Sequence, residues 1–126
     1  MAQTLDQKRA EFAWKRASQG VTAKGKSYVN MTKGASAFIM SNGLMQALAF
    51  YKSRTGSNSE EAKLLLEDIL LWIDGVDIFR GGQGDFPATM NALFKATSME
   101  YMRATQEALA MLRWLRQFAD ALKPSK

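Results

Sequence analysis

Apolar residues recur three, four and seven positions apart along most of this chain, which is the period of an amphipathic helix. The longest seam of this kind lies near the carboxyl end and comprises Tyr101, Thr105, Ala108, Leu112, Leu115, Ala119 and Leu122. The alternation typical of a strand is absent, even beside Asn42-Gly43, a pair that often forms a hairpin turn. We therefore predict an all-α fold, a single compact bundle of about five or six helices in one domain over residues 1–126.

Capping residues and glycines set the ends of the predicted helices. The helices are predicted over residues 4–19, 24–33, 36–54, 60–74, 87–96 and 98–122. Thr4 and Thr97 begin capping boxes, while Gly20 and Gly34 are expected to end helices. We expect Asn42-Gly43 to be helical or to begin a helix, with Gly43 kept small because another helix packs against it.

Composition narrows the chemistry that this chain can perform. It has no Cys and no His, which removes thiolate sites, the commonest general base and the commonest transition-metal ligand. The longest apolar run, residues 69–73, is far shorter than a membrane span, and the first residues lack the apolar core of a signal peptide. We predict no catalytic residue, no metal and no cofactor, and we expect a soluble cytoplasmic protein without membrane contact.

Charge is divided along the chain into three blocks. Residues 1–54 carry a net charge of +7, residues 55–86 carry −5 and residues 87–126 carry +3. The two basic blocks predict a surface that binds the phosphates of a nucleic acid, formed by Lys8, Arg9, Lys15, Arg16, Lys24, Lys26, Lys52, Arg54, Arg113 and Arg116. The middle block predicts a solvated or partner-facing acidic surface that includes Glu67, Asp68, Asp74 and Asp77.

Residues 20–27 match the phosphate-binding loop pattern G-x-x-x-x-G-K-[ST], with Lys26 and Ser27 at its end. That loop works only where a buried strand leads into it and a helix leads out. Here the preceding segment is a charged amphipathic helix, so a small nucleotide hydrolase is kept only as an alternative. A second alternative is a helical scaffold whose basic charge makes no contact with RNA.

Three segments, residues 7–13, 41–50 and 104–119, together resemble the small helical subunit of the type III-B CRISPR RNA-guided effector, the Cmr complex. The resemblance covers most of the chain apart from residues 55–96. One departure is Ser36, where relatives often carry Pro, and either residue can begin a helix.

The resemblance implies a non-catalytic role in antiviral defence. Copies of such a subunit stack head to tail in a filament beside the backbone subunits that hold the guide RNA, and they line the channel for target RNA. The implied partners are the backbone subunits, the large subunit, further copies of this chain and the guide RNA–target RNA pair. The resemblance fixes no individual RNA-binding residue, so the basic positions above rest on charge alone.

Overall fold

The computed structural model describes residues 2–56, 59–75 and 84–124, and all regular secondary structure in these residues is helical. The six helices are α1 (Leu5–Lys24), α2 (Lys26–Asn42), α3 (Leu44–Thr55), α4 (Glu60–Gly75), α5 (Phe86–Lys95) and α6 (Ser98–Leu122). The predicted all-α class is therefore confirmed.

Both predicted capping boxes are present. The Thr4 hydroxyl accepts a hydrogen bond from the Gln7 backbone N–H at 3.1 Å, and the Gln7 side chain accepts one from the Thr4 N–H at 2.8 Å. Thr97 and Glu100 make the same reciprocal pair at the start of α6. Each box satisfies backbone donors that the first helical turn leaves without a partner, which is why these two helix starts were readable from the sequence.

The predicted helix ends at Gly20 and Gly34 are wrong, because α1 continues to Lys24 and α2 continues to Asn42. Gly20 is buried inside α1, where a Cβ atom would overlap the ring of Tyr28 on α2. The missing side chain therefore allows α1 and α2 to approach closely. Ser36, predicted to begin a helix, lies within α2.

Two other glycines separate the first three helices. Gly25 (φ +54°) is the single residue between α1 and α2, and Gly43 (φ +87°) is the single residue between α2 and α3. Both have backbone angles that favour glycine. The reason predicted for Gly43 is wrong, because the nearest atom to a Cβ at that position is the Tyr101 hydroxyl oxygen at 3.6 Å. Gly43 is required by its φ angle and not by an adjacent helix.

The buried side chains come mainly from α1, α2, α3, α4 and α6, with Thr89 and Leu93 contributed by α5. Helix α6 packs against α1 and α2, and its predicted seam from Ala108 to Ala119 faces the core. The start of α2 lies near Pro124, whereas the first residues of α3 lie near Tyr101 on α6. Helices α2 and α6 therefore run side by side in opposite directions, and their outer stripes form a long groove.

Candidate nucleic-acid interface

Arg9, one of the ten predicted RNA-binding residues, is engaged inside the fold. Its Nε donates to Glu107 Oε1 at 3.0 Å and its Nη2 donates to Glu107 Oε2 at 2.6 Å, a two-point ion pair between α1 and α6. Trp72 Nε1 on α4 donates to the same carboxylate at 3.2 Å. The hydrogen bonds from Arg9 hold the pKa of Glu107 below its usual value. These contacts join three helices and leave Arg9 only partly exposed.

Arg16, seven positions further along α1, forms a second internal ion pair. Its Nε donates to Asp68 Oδ1 on α4 at 2.6 Å, and its Nη2 lies 3.7 Å from Glu67 Oε1. The Tyr28 hydroxyl donates to the other oxygen of Asp68 at 2.5 Å. Burial raises the pKa of Asp68 to about 6, and burial beside that carboxylate raises the pKa of Tyr28. Arg16 therefore helps to join α1, α2 and α4.

The prediction of a solvated or partner-facing acidic surface is wrong for two of its members. Asp68 is only 1% exposed and lies in the ion pair with Arg16, so it cannot face a partner protein. Asp74 accepts hydrogen bonds from the Thr89 hydroxyl and the Gly84 N–H, both at 2.8 Å, and so links the end of α4 to α5. Glu67 remains partly exposed, and Asp77 lies outside the described residues.

A basic groove lies between α2 and α6. One cavity of about 490 Å³ is lined by Lys33, Arg113, Arg116, Gln117 and Asp120. A second cavity of about 530 Å³ is lined by Lys26, Val29, Asn30, Lys33, Asp120, Ala121, Lys123 and Pro124. The two cavities share Lys33 and Asp120, so they adjoin. We call the two together the α2–α6 groove; among the described residues, five cations and one carboxylate line it.

The α2–α6 groove contains three of the ten predicted residues, Lys26, Arg113 and Arg116. Lys33 and Lys123 complete it, although the predicted site did not include them. Lys26, Asn30 and Lys33 are four and three positions apart, which places them on one stripe of α2. The helix predicted over residues 24–33 already contains all three, so this stripe was predictable from the sequence.

The other predicted residues lie elsewhere. Lys8 and Lys15 are exposed on α1, and Lys24 is exposed at its end. Lys52 on α3 lies 5.9 Å from the ring centre of Phe86, and Arg54 lies 5.9 Å from that of Phe50. The ten predicted positions are therefore divided among the α2–α6 groove, the outer face of α1, the end of α3 and two internal ion pairs.

The phosphate-binding loop is contradicted by the structure. Residues 20–24 form the last turn of α1, and the N–H of Gly25 donates to the Val21 carbonyl at 2.8 Å. The segment before them is helical and not a strand, so the backbone amides of this segment do not converge on a phosphate. Lys26 lies instead in the α2–α6 groove.

The residues that the structure describes lack two kinds of feature. No helix in that part of the chain is both long and apolar enough to cross a bilayer. Residues 2–56, 59–75 and 84–124 contain no cluster of three or more Asp or Glu side chains placed to hold a metal ion.

Comparison with known proteins gives consistent matches along the chain. The family model described as CRISPR-associated protein (Cas_Cmr5) matches residues 5–122. The CRISPR system Cmr subunit Cmr5 of Thermus thermophilus is 29% identical over 120 residues, which cover 94% of this chain and 96% of that protein. The crystal structure of a CRISPR-associated Cmr5 family protein from the same organism has a TM-score of 0.78 and 28% identity, covering 97% of this chain and 100% of that one.

Proposed function

Because this chain belongs to the Cas_Cmr5 family of CRISPR-associated proteins, we propose that it is a non-catalytic, cytoplasmic subunit of a type III-B Cmr effector that holds target RNA in the α2–α6 groove. The similar proteins support the first part, since one of them is named as a Cmr subunit. The single observation that carries the second part is the row of cations that two antiparallel helices bring together.

The chemistry of the groove suits a phosphate backbone. Lys33, Arg113 and Arg116 line the same cavity, and none of them belongs to the hydrophobic core. Lysine and arginine side chains that neutralise phosphates release condensed counterions, which favours binding without regard to base sequence. A subunit that must accept any target paired to its guide needs this kind of contact.

The test compares two faces of the protein in the assembled effector. One variant carries Lys33→Glu and Arg116→Glu in the groove, and the matched variant carries Lys8→Glu and Lys15→Glu on the exposed face of α1. Both pairs reverse two exposed cations, so the change in net charge is equal. We expect retention of target RNA to fall for the groove variant, with a salt slope lower by roughly 0.7 per lost phosphate contact on a single strand.

Other results would overturn the assignment. Loss of RNA retention only in the α1 variant would show that the RNA-binding surface lies on α1 and not in the groove. Unchanged retention and unchanged salt slope in both variants would favour a scaffold that makes no contact with RNA. Arg9 and Arg16 are left unchanged in both variants, because reversing either would disrupt an internal ion pair.

Contacts with other subunits are proposed for the exposed apolar side chains at the opposite end of α6. Met99 is 81% exposed and Met102 is 57% exposed, and both line a cavity with Glu100, Arg103 and Gln106. Methionine suits adaptable protein contacts, and stacking of copies in an open filament requires two different surfaces on each copy.

We expect Met99→Gln with Met102→Gln to lower the number of copies per complex, measured by native mass spectrometry, whereas Ala49→Gln on α3 should not.

A further inference from the structure

Asp120 is the one carboxylate among the described residues that line the α2–α6 groove. Its Oδ1 lies 3.2 Å from Lys123 Nζ and 3.8 Å from Lys33 Nζ, and its side chain is 45% exposed. The hydrogen bond from Lys123, together with the charges of Lys123, Lys33 and Arg116, lowers the pKa of Asp120. The carboxylate therefore stays charged and lies where the fields of three cations meet.

The stability of α6 does not account for an acid at this position. Asp120 lies in the last turn of a helix that ends at Leu122. Carbonyl groups at that end carry partial negative charge, so an acidic side chain there is unfavourable and a cation is preferred. Its pairs with Lys33 and Lys123 are solvent-exposed, and exposed pairs stabilise a fold weakly.

Asp120 also lies at the boundary between the two cavities. Arg113, Arg116 and Gln117 line one side, while Lys26, Asn30 and Lys123 line the other. Arg113 and Asp120 are seven positions apart on α6, a rise of roughly 10 Å along the helix. An RNA strand lying along the groove would therefore pass cations first, then the Asp120 carboxylate, and then cations again.

We propose that Asp120 is a built-in competitor for RNA phosphate, which occupies the cations at the centre of the groove and divides it into two phosphate subsites. This inference rests on the proposed RNA-binding function of the groove. A phosphate that approaches Lys33 must displace the Asp120 carboxylate or remain to one side of it. Asp120 thereby keeps the RNA contact weak enough to be released and makes it depend on more than one phosphate.

The experiment uses Asp120→Asn in the assembled effector, with Glu60→Gln as the matched control. Both substitutions remove one exposed negative charge, but Glu60 lies on α4 and lines neither cavity of the groove. Target-RNA retention is measured against salt concentration. We expect Asp120→Asn to tighten binding by about threefold, the size of effect typical of an exposed charge pair, and to steepen the salt slope by roughly 0.7 for one added phosphate contact. Glu60→Gln should change neither quantity.

A double-mutant cycle separates competition from a general effect of net charge. In the wild type, Lys33 is partly neutralised by Asp120, so Lys33→Gln should weaken RNA retention less than it does in the Asp120→Asn background. Equal effects of Lys33→Gln in both backgrounds would overturn the proposal, and so would identical behaviour of Asp120→Asn and Glu60→Gln.

The outcomes for this inference and for the proposed function are distinct. If Lys33→Glu with Arg116→Glu leaves RNA retention unchanged, the groove is not the RNA site. Both the proposed RNA-binding function of the groove and the role of Asp120 are then refuted. If that pair weakens retention while Asp120→Asn behaves like the control, the groove binds RNA and only the role of Asp120 is refuted.

Discussion

One pair of cations on α1, Arg9 and Arg16, and one on α2, Lys26 and Lys33, share a spacing of seven positions but have opposite surroundings. Arg9 and Arg16 on α1 lie against acidic side chains of α6 and α4 and are mostly covered. Lys26 and Lys33 on α2 lie beside a stripe of α6 that carries Arg113 and Arg116, so they remain exposed to solvent. Seven-residue spacing places two cations on one face of a helix. The side chains of the neighbouring helices decide whether such a pair is covered in internal ion pairs or stays exposed to solvent.

The largest expected effect is on the buried pair of α1. Arg16→Met leaves Asp68, which is 1% exposed, with only the Tyr28 hydroxyl as a hydrogen-bond donor. We expect the free energy of unfolding to fall by about 3 kcal/mol, as for the removal of one partner of a buried ion pair. The measurement is urea denaturation, with Arg116→Met in the groove as the control, which should change stability by less than about 0.5 kcal/mol. Similar losses of unfolding free energy in both variants would show that the cations of α1 and those of the groove do not differ in their contribution to stability.

Arg9→Met should have the next largest effect. Glu107 would keep only the Trp72 indole N–H, but Arg9 and its partner are less deeply buried than Arg16 and Asp68. We expect a loss of about 2 kcal/mol for this reason. Lys8→Met is the control, because Lys8 is exposed on the same helix. A loss below that of the control would show that water replaces Arg9 without penalty.

The pKa of Asp68 predicts an unusual pH dependence of stability. Burial raises the pKa of its carboxyl in the folded protein to about 6, from an ordinary value of 3.8. Between these pH values the folded state holds a proton that the unfolded state has lost, so the contribution of Asp68 to stability falls as the pH rises. We expect the stability of the wild type relative to Asp68→Asn to decrease from about pH 4 to about pH 6, measured by urea denaturation at each pH. An increase in this relative stability over that range would mean that Arg16 lowers the pKa of Asp68 by more than burial raises it.

The smallest expected effect on stability belongs to the groove. Lys33→Met removes an exposed contact of 3.8 Å with Asp120, and we expect the free energy of unfolding to change by less than about 0.5 kcal/mol. Target-RNA retention by the complex should nevertheless decrease. Thermal denaturation of the purified variant subunit and RNA filter binding by the complex assembled with it would check the two results. A clearly destabilised variant would show that Lys33 supports the fold, as Arg9 and Arg16 do.

Features with a local cause were predictable from the sequence. The capping boxes at Thr4 and Thr97 and the apolar seam of α6 depend on residues a few positions apart, and all are present. The resemblance of three segments to the Cmr small subunit is confirmed by a family match over residues 5–122.

Features that depend on distant residues were not predictable in the same way. Glycine is a poor helix former, so Gly20 was predicted to end a helix. The structure instead requires glycine there because the ring of Tyr28, on another helix, occupies the space of a Cβ atom. Arg16 and Asp68 are 52 positions apart, and the pattern of charge alone does not pair them. A usable signal existed nonetheless, because Arg16 lies beside Ala13 and Ala17 on the apolar stripe of α1. A cation on a buried stripe predicts an internal acid.

Gly25 and Gly43 each separate two helices by a single residue, so the chain from Leu5 to Thr55 contains no loop. A loop can be lengthened or cut at little expense to the rest of a fold, whereas a one-residue junction offers no spare chain. An affinity tag, a split site or a protease cut placed between these helices would fall at a glycine with a positive φ angle, directly beside the end of one helix and the start of the next. For labelling, cutting or inserting sequence, the first three helices therefore offer no loop.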